Sequence, residues 1–400
     1  MESRTPLTFL CLSSYFKGND FLRACKAEGC RVLLLTVDKL LGEAWPRDAV
    51  DEIFAMPGGD FSNRQDLLNA VSYLARSRPI DRIVALDDYD VEVAAMLREH
   101  LRVGGMGEST ARYFRDKLAM RERAASRGVR VPPFVHVLNH EHIAEFLREV
   151  PAPWLLKPRS EAGSVGIKTF ERAEDVWAAV EALGDKQSYH LLEQMIAGDV
   201  YHVDAIVYER SVVFAEAHRY RRPLLGVVQK GGIFGTRTVQ HGSPEERELV
   251  DFHRDVMDAL GLVRGAAHTE FIRGRADGKF YFLESGARVG GAHIADLVEA
   301  STGVNLWAEW ARVEVAGGKE PYGIEPARRE HGGLLVSLAR QEKPDTSAYT
   351  DPEVCWRLSM PNHVGLVVRS PSAERVEQLL DEYERRFAED FYVAIPAKQA

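Results

Sequence analysis

The sequence predicts a mixed fold, α/β at the start and α+β afterwards: an N-terminal parallel α/β domain followed by lobes built on antiparallel sheets. Two observations carry this. Over the first ~105 residues short apolar runs alternate with helical patterns, which places crossover helices between parallel strands. Beyond residue 150 the runs follow one another through turn signals, as hairpins do.

Strands are expected at 7–12, 31–36 and 82–86, with helices at 20–28, stopped by Gly29, and at 64–76. The carboxyl ends of these strands, where ligands of open α/β sheets bind, then carry Ser13 to Phe16 and Asp87, Asp88, Tyr89 and Asp90. No G-x-G-x-x-G follows Leu12, which argues against a dinucleotide. The acidic triplet reads as a cap for the helix beginning near Val91; contact with a substrate amine is the alternative.

Ser109 caps an expected helix to Arg127, with Gly128 as its stop. Ala111, Phe114, Leu118 and Ala125 mark its buried face and Lys117 its border. Taken alone, Lys117 is an ordinary surface lysine. Strands at 189–195, 200–208 and 212–218 suggest an antiparallel sheet. The stretch 219–240, with Gly226, Gly231, Gly232 and Gly235, reads as a long lid or binding loop. Its Arg219-Tyr220-Arg221-Arg222 cluster is either a solvated loop or a contact for an anionic substrate. Ser243-Pro244-Glu245-Glu246 opens a helix that Gly261 stops. Residues 316–400 read as a small C-terminal α/β lobe, with strands at 333–338 and 364–368 and a helix at 372–387.

Lys157 ends the apolar run Trp154-Leu155-Leu156 and enters a turn rich in small residues, from Ser160 through Gly163 and Ser164 to Gly166. Small residues let backbone N–H groups approach phosphate oxygens, and the ammonium adds charge. This is not a Walker A loop, since the G-x-x-x-x-G-K-[ST] spacing is absent. A plain hairpin tip with a surface lysine is the alternative.

Residues 268–285 form a hairpin with its turn at Ala276-Asp277-Gly278. Pairing Arg275 with Lys279 places Glu270 directly opposite Glu284, with Cβ atoms about 4.5–5.5 Å apart. Two carboxylates that close repel unless a cation lies between them, and Mg²⁺ suits such a pair. In this register Ile272 and Phe282 share the carboxylates' face, while Phe271 and Leu283 lie on the other. An extended continuation returns Arg288 to the face of Glu284, able to grip a phosphate or carboxylate bidentately or to pair with a glutamate.

These segments, in their order, resemble the ATP-grasp superfamily: Arg115-Asp116-Lys117, Leu155-Leu156-Lys157-Pro158 with its glycine loop, Leu192-Glu193-Gln194-Met195-Ile196-Ala197-Gly198, His268-Thr269-Glu270-Phe271, and Phe282 through Gly291. The resemblance covers residues 5–315 and is strongest to L-amino acid ligases and related carboxylate–amine ligases. It implies an ATP-grasp fold, with an N-terminal domain at 1–105 and a nucleotide-binding and catalytic region at 106–315. It also implies ATP with Mg²⁺, or Mn²⁺ in its place. Lys117, Lys157, Ser160, Gly163, Ser164 and Gly166 match the phosphate-binding positions, and Glu193, Gln194, Met195 and Ile196 match the adenine hinge. Glu270 and Glu284 match the metal ligands, and Arg288 stabilises the reacting group together with Lys157. His202, near the hinge and alternating with Asp204, reaches ribose or phosphate or forms a structural pair with Asp204. One departure stands out: many members read Glu-x-Asn-x-Arg, and here the Asn position is Gly286.

The activity implied is an ADP-forming ligase that joins a carboxylate to an amine through an acyl phosphate. The alternatives are a carboxylating or purine-pathway relative and a non-catalytic nucleotide-binding protein. The resemblance implies small-molecule carboxylate and amine substrates, amino acids among them. The net charge of −9 gives no reason to expect nucleic acid or an anionic membrane as partner. No run approaches the ~20 apolar residues of a membrane span. The 7–12 run is too short for a secretory signal, and the four cysteines are sparse and lack zinc spacings, which places the chain in the cytoplasm with reduced thiols. A homodimer is compatible with this reading.

Overall fold

The computed structural model describes residues 6–163, 165–223, 226, 232–319 and 321–393. Its first sheet is parallel, in the order Glu52–Met56, Arg31–Val37, Thr8–Leu12, Arg82–Ala85. Thr8–Leu12 is buried along its whole length, as expected of a strand covered on both faces. Glu52–Met56 was not among the expected strands, although Ile53-Phe54-Ala55-Met56 is a short apolar run; it lies at the sheet's edge with most of its residues half-buried.

The second sheet has four antiparallel strands in the order Phe134–His136, His190–Gln194, Trp154–Pro158, Lys168–Phe170. Side chains alternate across it. Trp154, Leu156 and Leu192 pack with Ile143 and Phe146 of the helix His140–Glu149 and with Val176 and Val180 of the helix Ala173–Leu183. Leu155, Lys157 and Glu193 are thereby left for the opposite face.

The third sheet has eight strands, in the order Phe280–Gly286, Gly265–Gly274, Gly198–Tyr208, Ser211–Tyr220, Phe234–Thr238, His331–Leu338, His363–Ser370, Val354–Arg357. Three expectations change here. The strand over 189–195 belongs to the second sheet, not with its sequence neighbours. The expected loop 219–240 is largely ordered, since Phe234–Thr238 pairs with Ser211–Tyr220 and His331–Leu338; residues 224, 225 and 227–231 lie outside the described part. The C-terminal strands extend this sheet instead of forming one of their own, and the helix Ala373–Asp390 packs Leu379, Leu380 and Tyr383 into their core.

The helix Pro244–Leu260, capped by Ser243 Oγ accepting from Glu246 N at 3.0 Å, covers one face of the eight-stranded sheet with Leu249 and Val256. The helices Ile294–Thr302 and Leu306–Ala316 share a core with the parallel sheet, and Phe21 meets Trp310 edge-on at 5.1 Å. Among the described residues no helix is long and apolar enough to cross a membrane. All four cysteines are free thiols.

Candidate active site

The two antiparallel sheets face each other across a cavity of about 180 Å³. Lys117, Lys157, the hinge from Glu193 to Ile196, Glu270 and Glu284 all line it. Leu155, Val200, Ile272 and Leu283 give it an apolar wall.

The hairpin delivers the carboxylates by a route the sequence did not show. Near the turn Arg273 pairs with Phe280 and Phe271 with Phe282, one residue out of step with the expected register. A bulge between Glu270 and Phe271 absorbs the extra Leu283 and brings Glu270 opposite Glu284 after all. The price is a change of faces. Phe282, expected beside the carboxylates, is fully buried in the core against Phe271, with ring centroids 6.3 Å apart. Leu283, expected in the core, lines the cavity with Glu284.

Each carboxylate has a fixed partner. Tyr220 Oη donates to Glu270 Oε1 at 2.8 Å. Lys117 Nζ lies 3.1 Å from Glu284 Oε2 and also donates to the Glu161 carbonyl. Burial opposes ionisation of Glu284, but Lys117 first, then Lys157 and Arg121, hold its carboxyl well below the usual range.

Lys117 is buried because the expected 109–127 helix is broken. One turn, Glu108–Arg112, stops, and Lys117–Ser126 starts again with Asp116 accepting from Leu118 N and Ala119 N. The restart turns Ala124 inward and leaves Ala125 exposed. Asp116 also receives Arg159 Nε at 2.9 Å, which ties this helix to the base of the 160–166 loop.

Glu193 is buried between two cations, Lys157 Nζ at 2.5 Å and Arg121 Nε at 2.6 Å. Its carboxylate is therefore committed to holding Lys157, and only the backbone around it is available to a base. Arg121 also donates to the Leu283 carbonyl at the bulge.

A smaller recess of about 40 Å³ adjoins the cavity at Lys117 and Glu284, and is lined as well by Gly163, His268, Arg288 and Asp88. The strand ends at Gly286, so Arg288 reaches the recess through a bend and not by extension. Its ionic neighbour is Asp88, Nε to Oδ1 at 3.7 Å, and neither glutamate. Only Asp87 of the acidic triplet behaves as a cap, accepting from Tyr89 N at 2.9 Å. Asp90 accepts Ser14 N and Oγ at 2.8 and 2.7 Å. Asp88 points into the recess, 3.5 Å from Arg115, and its Oδ1 is buried without a hydrogen-bond donor. A Cβ at position 286 would lie 2.9 Å from that same Oδ1. Asp88 thus fills the space an Asn at 286 would need.

No family model matches the sequence. An L-arginine-specific L-amino acid ligase of Bacillus subtilis is 25% identical over 243 residues, 59% of this chain and 58% of that protein, so the match spans less than two thirds of the relative's length. The crystal structure of an L-amino acid ligase from Bacillus licheniformis superposes with a TM-score of 0.74 at 18% identity, covering 98% of this chain and 99% of the other. Carboxyaminoimidazole ribonucleotide synthase from Aspergillus clavatus, complexed with ATP, gives 0.74 at 14% identity over 96% and 99% of the two chains.

This is the ATP-grasp fold.

Within this fold the expected residues divide by place. Ser160 and Gly166 line a wider cleft on the outer side of the loop, not the 180 Å³ cavity. Ser164 lies outside the described residues. His202 lines neither the cavity nor the recess. It is fully buried, with Nδ1 2.7 Å from Asp204 Oδ2 and Nε2 2.8 Å from Thr236 Oγ1. Both ring nitrogens are occupied, so the structural pair describes it and the ribose or phosphate contact does not. Burial lowers its pKa to about 3 despite Asp204. The Arg219–Arg222 cluster is likewise engaged within the protein. Arg219 meets Asp199 at 2.8 Å, and Arg221 meets Glu377, Asp381 and Glu384 at 2.9, 2.5 and 3.1 Å.

Sequence reasoning missed Arg121, although it stands four residues after Lys117 and so shares its helix face. Asp88 and Tyr220 were singled out only as members of clusters, the acidic triplet and the 219–222 run; their contacts with Arg288 and Glu270 follow from the packing of the sheets.

Proposed function

We propose that this chain is an ADP-forming carboxylate–amine ligase using Mg·ATP, with amino acids as substrates. One observation carries the reading: two lysines and two opposed glutamates line a cavity with an apolar wall bounded by the 193–196 segment, and an arginine lines the recess that adjoins it at Lys117 and Glu284. The curated sequence relative, an L-amino acid ligase and not a purine enzyme, supports the substrate class.

The residues suit the cofactors. Glu270 and Glu284 face each other, and Lys117 already supplies positive charge beside them, as an opposed carboxylate pair requires. They would hold Mg²⁺, which when bound screens the charge of the transferring phosphate. The backbone of Glu193 to Ile196 and the Leu155, Ile272 and Leu283 wall receive the adenine. Lys157, held straight by Glu193, and Lys117 meet the phosphates. An oxygen of the acid's carboxylate attacks the γ-phosphorus and ADP leaves. The amine then attacks the acyl carbon, the C–O bond to phosphate breaks, and the amine's proton passes to solvent. Arg288, half-buried beside Asp88, orients the carboxyl group and balances charge on the tetrahedral species.

The test is a phosphate-release screen with ATP, Mg²⁺ and pairs of amino acids, with the products weighed by mass spectrometry. A dipeptide, the two amino acids less one water, is expected alongside ADP and phosphate. Turnover with bicarbonate and with no amino acid would favour the carboxylating alternative.

A further inference from the structure

Behind the active site, between the parallel sheet and the eight-stranded sheet, lies a separate cavity of about 130 Å³. Ala287, next to Arg288 in the chain, forms part of its wall, while its polar lining is Arg82, Arg98, Arg264 and Glu314.

Backbone carbonyls fix two of these guanidiniums. Arg82 donates Nε to Glu314 O and Nη1 to Asp81 O, both at 2.9 Å. Arg98 donates Nε to Ile83 O and Nη1 to Met106 O, both at 2.8 Å. Arg264 pairs through Nη2 with Glu209 at 3.0 Å, while its Nε is buried with no acceptor. Among the described residues, Nη2 of Arg82, Nη2 of Arg98 and Nη1 of Arg264 have none either. The arginines also converge: a Cβ on Gly317 would collide with Arg82 Nη2 and come within 3.4 Å of Arg264 Nη1.

Glu314 does not answer these charges. Its carboxylate accepts from Trp310 Nε1 at 3.4 Å and forms no ion pair within 4.0 Å among the described residues. Burial pushes its carboxyl up even though Arg98, Arg264 and Arg82 pull it down. Three half-buried guanidiniums and one carboxylate therefore line a space large enough for a few waters; Glu209 answers Arg264, while Arg82 and Arg98 have no ion pair within 4.0 Å among the described residues. Two guanidiniums without an ion pair leave a place for a counter-charge, and a planar fork matches a planar carboxylate. Val91 and Trp310 supply an apolar wall beside it.

We infer that this cavity is a second ligand site, distinct from the reacting groups, that binds a small carboxylate against Arg82, Arg98 and Arg264 with its apolar part on Val91 and Trp310. A simple acid and an amino acid share this chemistry, the latter able to set its ammonium toward Glu314.

Calorimetric titration of the full chain with propionate, L-alanine and inorganic phosphate tests it. Saturable binding of propionate or L-alanine is expected, and whichever binds identifies the source. Arg264→Gln should weaken it at least tenfold, whereas Arg288→Gln should leave it unchanged, which separates the cavity from the active site. Glu314→Gln should tighten propionate severalfold. If Arg264→Gln does not fold, Arg264→Lys keeps the charge without the fork and should still weaken binding. No saturable carboxylate binding, binding of phosphate alone, or loss with Arg288→Gln but not with Arg264→Gln would overturn the inference and leave a water-filled cavity.

Discussion

Glu193 shows how a single residue positions Lys157 at the cavity. It is 1% exposed and shared by Lys157 and Arg121, so its removal strands two buried cations. Glu193→Ala should cost about 3–5 kcal/mol in urea unfolding; a loss below 1 kcal/mol would mean that Lys157 does not depend on it. Asp88 and Gly286 form a second residue-scale pair. Gly286→Asn should destabilise by about 1–3 kcal/mol through overpacking, and Asp88→Ala in the same chain should return at least about 0.5 kcal/mol of that loss. Strictly additive costs would show that Asp88 does not occupy the missing side chain's place. His241 gives a pH signature. Its Nε2 lies 2.8 Å from Glu216 Oε1, and this bond, against burial, raises its pKa. A histidine raised on folding contributes fully below about pH 6.5, and the contribution fades as pH rises through the folded value. From about pH 6 to about pH 9 the parent should therefore lose more Tm than His241→Gln; parallel curves would contradict the pairing. At this scale the charged groups of the site were legible as Lys157, Glu270, Glu284 and Arg288. Arg121 was not, and Asp88 and Tyr220 were legible only as members of clusters, since nothing local in the chain tells which residue of a cluster packing aims inward.

The hairpin of Gly265–Gly274 and Phe280–Gly286 brings both glutamates to the cavity. Its bulge reverses the roles of two neighbours, so their substitutions should separate. Phe282→Ala removes a fully buried ring and should cost about 3–5 kcal/mol of stability. Leu283→Ala should cost little stability and weaken ATP binding severalfold, because Leu283 walls the cavity. The opposite pattern, read by urea unfolding and nucleotide titration, would restore the straight register. The sequence could not reveal the bulge for a physical reason. Phe280, Tyr281, Phe282 and Leu283 are apolar on both faces, and a period of two has no phase where every position is apolar. The broken helix before Lys117 was hidden differently: neither Gly nor Pro interrupts 113–116, and only Asp116 as a cap marks the restart.

Across the whole molecule, the alternation of strands and helices was enough to read the parallel sheet, and the hairpins were enough to read antiparallel lobes. The join between them was not legible. His331–Leu338 and His363–Ser370 read equally well as a separate lobe, because an edge strand and a central strand differ only in what lies beside them. On the proposed reading an acid's carboxylate, a γ-phosphate and an amine would meet at the cavity between the assembled sheets and react through an acyl phosphate. Carboxyl oxygens labelled with ¹⁸O in the acid substrate test it most directly, with the released phosphate analysed by mass spectrometry. The account predicts one ¹⁸O in each phosphate, together with ADP. Unlabelled phosphate, or AMP with labelled carboxylate oxygen, would contradict it.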